Sequence, residues 1–147
     1  MQLTISELKA EDRPRWAELW RGYLAFYERV LPDEQYDDTW ARRLQGAAIH
    51  GLAARRDGNI VGITHYLFHA HCWISSGACY LQDLFVDPTA RGGGVGRALI
   101  EGVAERARAQ ASGRMYWQTQ AGNATARRLY DAIARDTGFV VYDYKLD

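Results

Sequence analysis

The glycine run Gly92-Gly93-Gly94, with Gly96 one residue beyond it, sits between two segments of opposite character. Before it, Tyr80-Leu81-Gln82-Asp83-Leu84-Phe85-Val86 reads as a buried strand. After it, a stretch rich in Ala, Leu, Arg and Glu reads as a helix over Val95 to Gln110, ended by Ser112-Gly113. A strand that passes through glycines into a helix leaves several backbone N–H groups free at the helix N-terminus. Such a turn cradles an anion, best a phosphate or pyrophosphate. Without Cβ atoms, the backbone comes close to the oxygens.

Three glycine-rich patterns compete for this segment. A P-loop needs Gly-Lys-Ser/Thr, and here Gly96 is followed by Arg97-Ala98, which offers neither the lysine nor the magnesium-binding hydroxyl. A dinucleotide fingerprint needs G-x-G-x-x-G. Counting from Gly92 or from Gly94 puts the third glycine at Arg97 or Leu99, so both frames fail. The spacing that fits is Arg-x-x-Gly-x-Gly, running from Arg91 through Gly94 and Val95 to Gly96.

At 147 residues the chain fits one domain, 1–147, long enough for a sizeable core. Its 18 basic and 18 acidic residues cancel, so there is no global electrostatic reason to expect nucleic acid as a partner. No signal peptide is visible and no apolar run approaches membrane-spanning length, which reads as a soluble, cytoplasmic protein with no membrane partner. Cys72 and Cys79 flank a short turn. A disulfide across it is geometrically possible, but two reduced thiols are the favoured reading.

Gln2 to Leu8 reads as a strand. A helix follows with Trp16, Leu19, Trp20, Tyr23, Phe26, Tyr27 and Val30 on one stripe, ended by Pro32. A second helix spans Tyr36 to Gln45. Strands over Ile49 to Arg56 and Ile60 to Cys72 are joined at Asp57-Gly58, a strong hairpin signal. The next hairpin turn falls at Ser75-Ser76 or Ser76-Gly77. Met115 to Thr119 reads as a strand, a helix opens at Asn123 or Thr125 and stops at Gly138, and Phe139 to Leu146 reads as a last strand. The order β-α-α-β-β-β-α-β-α-β is that of a mixed α/β domain.

Several further residues join the loop in one pattern: Tyr80 to Val86 before it, then Trp117-Gln118-Thr119, Asn123, Ala126, Leu129-Tyr130 and Gly138-Phe139 after it. Together they resemble the GNAT superfamily of acetyl-CoA-dependent N-acetyltransferases, over roughly the C-terminal two thirds of the chain. The resemblance is nearest to spermidine/spermine acetyltransferases and small yeast-type histone and polyamine acetyltransferases. It implies a mostly antiparallel central sheet splayed at the cofactor site, with helices on both faces. It also implies acetyl-CoA as cosubstrate, a small-molecule amine acceptor, a homodimer and no metal. The resemblance puts the pyrophosphate on Arg91, Gly92, Gly93, Gly94, Val95, Gly96 and Arg97. Leu84, Phe85 and Val86 would pair with the pantetheine arm, with a backbone N–H there holding the oxyanion. Asn123 would contact the cofactor or simply cap its helix.

Direct transfer to an amine needs an acid for the leaving thiolate and a base for the amine. The resemblance gives the acid to Tyr130, which also reads as a core residue beside Leu129. Close relatives carry glutamate where this chain has Gln82, and a glutamine only holds a water or the amine. His65, His69 and His71 share one strand face. Either hairpin register sets His69 or His71 beside Gln82, where it would supply the base ahead of Asp83. Tyr27, Glu28, Asp33, Glu34, Asp37 and Asp38 form an acidic, aromatic stretch that would draw a cationic acceptor, or is a solvated loop. The reading is an N-acetyltransferase of a polyamine, an amino acid or a lysine-like amine. The rivals are a protein or peptide lysine acetyltransferase and an inactive CoA-binding sensing module.

Overall fold

Residues 2–147 are described by a computed structural model of the chain. They divide into two units, Met1–Trp117 and Gln118–Asp147. In the first unit strand β1 (Leu3–Glu7) leads through a 3-10 turn (Ala10–Asp12) into helices α1 (Arg13–Phe26) and α2 (Asp33–Gln45). Strands β2 (His50–Arg56), β3 (Asn59–His71) and β4 (Ile74–Val86) follow. A second 3-10 turn (Pro88–Ala90), helix α3 (Val95–Ala109) and strand β5 (Arg114–Tyr116) complete it. The five strands lie in sequence order in one sheet. The first three pairings are antiparallel and β4 with β5 is parallel.

The α1 stripe explains one face of the sheet. Trp16, Leu19 and Trp20 recur at helical spacing and are buried with Tyr36 and Trp40 of α2, over Ala53, Ile60 and Ile63 of the sheet. Trp16 stacks on Trp20 at 5.3 Å and meets Trp40 at 4.8 Å, contacts of about 0.5–1.5 kcal/mol each beyond the area they bury. Val95, Leu99 and Val103 of α3 are buried against the opposite face, where Val95 and Leu99 pack on Gly62. Helices therefore cover both faces of a mixed sheet.

Helix α1 ends before Pro32. Glu28 turns left-handed (φ 57°), and the Glu28 and Arg29 amides close back on the Ala25 and Leu24 carbonyls in a Schellman arrangement. Val30 therefore falls outside the helix and is exposed rather than on its stripe. Helix α2 begins a turn earlier than Tyr36, with Asp33 and Glu34 favourably placed in its first turn. Asp57 and Gly58 both have positive φ, the two-residue hairpin that their types predict.

The β3–β4 hairpin corrects the expected register. It turns at Cys72-Trp73, with His71 opposite Ile74, and the Trp73 amide donates to His71 Nδ1 at 3.1 Å. Ser75 to Gly77 belong to β4 itself. Cys72 thus sits exposed in the turn while Cys79 is buried opposite Phe68, so the two do not face each other and both thiols are free. Burial alone raises the Cys79 thiol to about 11.

A second irregularity lies deeper. Tyr66 pairs with Leu81 and His65 with Asp83, so Gln82 is the extra residue of a β-bulge and has no partner on β3. His69 lies opposite Ala78. Neither His69 nor His71 is set beside Gln82, contrary to the unbroken ladder that alternation suggests. Strand β5 is shorter than expected, and its ladder with β4 stops at Tyr80–Tyr116 while β4 continues to Val86.

In the second unit α4 (Ala124–Ile133) is capped by Asn123, whose Oδ1 accepts from the Ala126 amide. It ends well before Gly138. No strand forms over Phe139 to Leu146 among the described residues, because a strand exists only by pairing and this segment joins no ladder. Phe139, Val140, Val141, Tyr142, Tyr144 and Leu146 are all exposed there.

Candidate active site

The glycine turn is built from both ends. Asp87 at the close of β4 accepts from the Thr89 amide and hydroxyl, which folds the chain into the Pro88–Ala90 turn. Arg15 of α1 reaches across to Asp87 at 2.6 Å. That guanidinium, with the Thr89 amide, lowers the carboxyl to about 2. Gly92 and Gly94 then take left-handed backbone at φ 85° and 78°, where an L side chain is strained, and both open onto empty space. Gly94 is the N-cap of α3 and has no side chain to cap it. The first amides of a 15-residue helix therefore open onto the glycine turn, with the helix dipole behind them.

Arginines frame this turn. Arg91 Nε donates to the Val86 carbonyl, and its guanidinium lies over the Phe85 ring at 5.5 Å. Arg97 Nε pairs with Glu101. Arg56, from the end of β2, was not singled out from the sequence. Its Nη2 lies 2.5 Å from where a Cβ on Gly93 would sit, so glycine there seats a guanidinium against the loop. No short-range pattern in the sequence links residues 56 and 93.

Four residues upstream of Asp87 on β4, Asp83 organises a second cluster. Its Oδ2 accepts from His65 Nδ1 at 2.8 Å and from Trp20 Nε1 at 3.3 Å. The Trp16 indole N–H donates to His65 Nε2 at 2.8 Å. An indole N–H only donates, so the ring proton of His65 sits on Nδ1 and points at Asp83. His65 is 3 % exposed and Trp16 fully buried, whereas the Asp83 side chain keeps 16 % of its surface. Tyr23 donates weakly to the Gln82 carbonyl at 3.4 Å. Burial first, and the Asp83 charge second, push the Tyr23 hydroxyl far up and raise that of Tyr27. The two phenols stay protonated beside a carboxylate.

The other candidates lie as follows. His69 Nδ1 bonds to the Ala70 carbonyl and its Nε2 meets the Tyr116 hydroxyl at 2.7 Å, while Tyr116 stacks on Tyr80 at 4.8 Å. His71 is in the hairpin turn with Trp73. Gln82 is exposed on the bulge. Asp37 pairs with Arg13 and Asp38 with Arg42 at 2.8 Å, so much of the charge of the acidic stretch is balanced by arginines on the same helices. Glu28 is exposed at the end of α1. In the second unit Tyr130 is half-buried on α4, and Asn123 serves as helix cap and bonds to Thr119. Leu84, Phe85 and Val86 pair with Thr64, Ile63 and Gly62 on their β3 side.

The chain is 33% identical over 144 residues to the D-amino-acid N-acetyltransferase HPA3 of Saccharomyces cerevisiae, covering 96% of this chain and 89% of that protein. It is 30% identical over 143 residues to the uncharacterized N-acetyltransferase YhfO of Bacillus subtilis, covering 95% of each. Among solved structures, the ribosomal-protein-alanine N-acetyltransferase from Brucella melitensis biovar Abortus 2308 superposes with a TM-score of 0.83 at 25% identity, over 99% of this chain and 100% of that one. The aminoglycoside acetyltransferase AAC(6')-Iy, solved with a CoA-based bisubstrate analog, gives 0.87 at 20% identity over all of both chains, a likeness of fold. Residues 16–134, which carry both the glycine turn and the Asp83 cluster, match the model of the acetyltransferase (GNAT) family. The chain belongs to that family and is an acetyl-CoA-dependent acyltransferase of the N-acetyltransferase type.

Proposed function

We propose that this enzyme moves an acetyl group from acetyl-CoA to the nitrogen of a small cationic primary amine by direct attack, with no acyl-enzyme. The acceptor class is a polyamine, an amino acid or a lysine-like amine. The observation that carries this is Asp83, a partly exposed carboxylate braced by buried donors and walled by Trp20, Tyr23 and Tyr27. Carboxylate and aromatic faces are what an ammonium group seeks. The name of the yeast relative, a D-amino-acid N-acetyltransferase, supports an acceptor with a primary amine.

The residues of the glycine turn fit a CoA pyrophosphate. The amides from Gly92 to Arg97 are the donors, Gly92 and Gly94 leave the approach open, and Arg56 adds positive charge. Leu84 to Val86 supply backbone groups for the pantetheine arm, which suits a strand whose β5 ladder has already ended at Tyr80. A backbone N–H at Phe85 or Val86 holds the thioester carbonyl oxygen.

Asp83 holds the ammonium group and takes one of its protons, directly or through a water. The amine nitrogen, now neutral, bonds to the acetyl carbon, and the bond from that carbon to sulfur breaks. Tyr130 gives the departing thiolate its proton, and the second proton of the nitrogen leaves to solvent. His69 and His71 give way to Asp83 as base, because His69 is engaged with Ala70 and Tyr116, and His71 with the hairpin turn. Residues 1–147 act as one catalytic domain. The homodimer is part of the same reading, supported by the row of exposed apolar side chains from Phe139 to Leu146.

An acetyl-acceptor screen tests the reading. Thiol release from acetyl-CoA is followed over polyamines, D- and L-amino acids, lysine amides and lysine peptides. Turnover with small cationic amines is expected. Turnover confined to neutral or anionic acceptors, or to peptides, would overturn the assignment of the acceptor.

A further inference from the structure

We propose that His65 and Trp16 are positioning residues that make the acceptor site selective for charged amines. This rests on Asp83 as the acceptor-binding group. The two residues lie on different elements, β3 and α1, and neither belongs to the glycine turn.

The chain of donors runs one way. Trp16 Nε1–H donates to His65 Nε2, and His65 Nδ1–H donates to Asp83 Oδ2. Trp20 adds a second donor to the same oxygen. Because an indole N–H cannot accept, Nε2 of His65 is blocked as a proton acceptor while Trp16 is in place. His65 therefore cannot take the amine's proton by passing its own onward. It is a donor with a fixed tautomer, and it holds one oxygen of Asp83. Both buried bracing bonds end on Oδ2 and the Tyr23 hydroxyl adds a third contact to the carboxylate; Oδ1, which neither buried donor engages, is the oxygen assigned to the acceptor. A doubly donated carboxylate keeps its negative charge oriented, and that charge discriminates an ammonium group from a neutral amine of the same shape. The packing makes the arrangement rigid: the His65 ring sits edge-on to Trp16 and Trp20 at 5.9 and 5.6 Å.

The test compares two amines of nearly one shape, ethylamine and 2,2,2-trifluoroethylamine. At neutral pH the first is a cation and the second is largely uncharged. His65→Leu removes the donor. His65→Asn restores an N–H where Nδ1 stood. Trp16→Phe keeps an aromatic ring but frees Nε2, and it stands in should His65→Leu not fold. In His65→Leu, kcat/KM for ethylamine should fall ~10-fold or more, mostly through KM, the size expected for a hydrogen bond to a charged group. Trifluoroethylamine should change little, and KM for acetyl-CoA should stay constant. His65→Asn should recover most of the loss, and Trp16→Phe should shift the ratio of the two amines in the same direction as His65→Leu. A merely structural role lowers both amines in proportion, and that result would sink the proposal. If the wild-type enzyme acetylates both amines with no preference for the cation, the acceptor reading falls as well. If it prefers the cation and the variants keep that preference, only the role of His65 and Trp16 falls.

Discussion

Asp83→Asn removes the charge that the proposed acceptor site depends on and, with it, the base that takes the amine's proton. An asparagine fits the same space, and its carbonyl oxygen can still accept from His65 Nδ1 and Trp20 Nε1, so the bracing bonds persist. The amide NH₂ then occupies the Oδ1 position and faces the ammonium group with donors. A hydrogen bond to a charged partner contributes about 1.5–3 kcal/mol. At about 1.4 kcal/mol for each tenfold, the lost contact alone should lower kcat/KM for a cationic amine by roughly 10- to 150-fold, and loss of the base should lower it further through kcat. The effect should not spread to the cosubstrate. Val86, at the mouth of the glycine turn, lies three residues further along β4, about 10 Å at the usual rise of an extended strand. The assay is continuous thiol release with the amine varied at saturating acetyl-CoA, alongside calorimetric titration with CoA and a thermal melt. A folded variant with kcat/KM within about twofold of wild type would refute the reasoning. So would an equal loss of CoA affinity, which would mean that Asp83 supports the strand rather than the acceptor.

Gly94→Val forces a β-branched side chain into a left-handed position, and should weaken CoA binding by ~10-fold or more; unchanged affinity in a folded variant would make the turn purely structural. Tyr130→Phe should lower kcat by on the order of 10²-fold while sparing CoA affinity, and a wild-type kcat would return Tyr130 to packing. The Asp87 carboxyl is held near 2 against an ordinary 3.8, so its contribution is complete above the ordinary value and is lost as pH falls toward 2. With Arg15 one third exposed, that contribution is about 1 kcal/mol, and urea unfolding should show Asp87→Asn less stable than wild type at neutral pH with the gap closing in acid. Sedimentation should find a dimer that becomes a monomer when residues 139–147 are deleted, and a monomeric full-length chain would remove the tail from the interface.

The legible parts of the fold were those set by local chemistry. Asp57-Gly58 demands a tight hairpin and the Trp16–Leu19–Trp20 spacing a buried helical face, and both are found. The glycine turn was legible for the same reason, since its backbone needs are written in its residue types. What misled was competition between equally plausible local signals. Ser75 to Gly77 looks like a turn, yet the hairpin closes at least three residues earlier, at Cys72-Trp73, where the Trp73 amide finds His71. The tail from Phe139 is rich in β-branched and aromatic residues like a strand, but strand structure is a property of pairs. Arg56 and His65 depend on contacts across the sheet and with α1, which no window of the sequence contains.

The bulge at Gln82 shows why the site in particular escaped a reading by alternation. In an unbroken strand Tyr80 and Asp83, three residues apart, point to opposite faces. In the folded chain both serve the α1 face. Asp83 bonds to Trp20 and His65, and both Asp83 and Tyr80 lie close enough to the Tyr23 hydroxyl of α1 to interact with it. Leu81 and Cys79, between and beyond them, are buried. One extra residue resets the parity of the strand, so the core side stays apolar while Tyr80 and Asp83 come to a single surface. Gln82 thus matters first as a spacer. Its side chain is exposed on the bulge, and its backbone position is what delivers the carboxylate to the aromatic wall of α1. The same bulge that takes Gln82 out of the ladder brings Asp83 in, so a glutamine here still leaves a carboxylate at this surface.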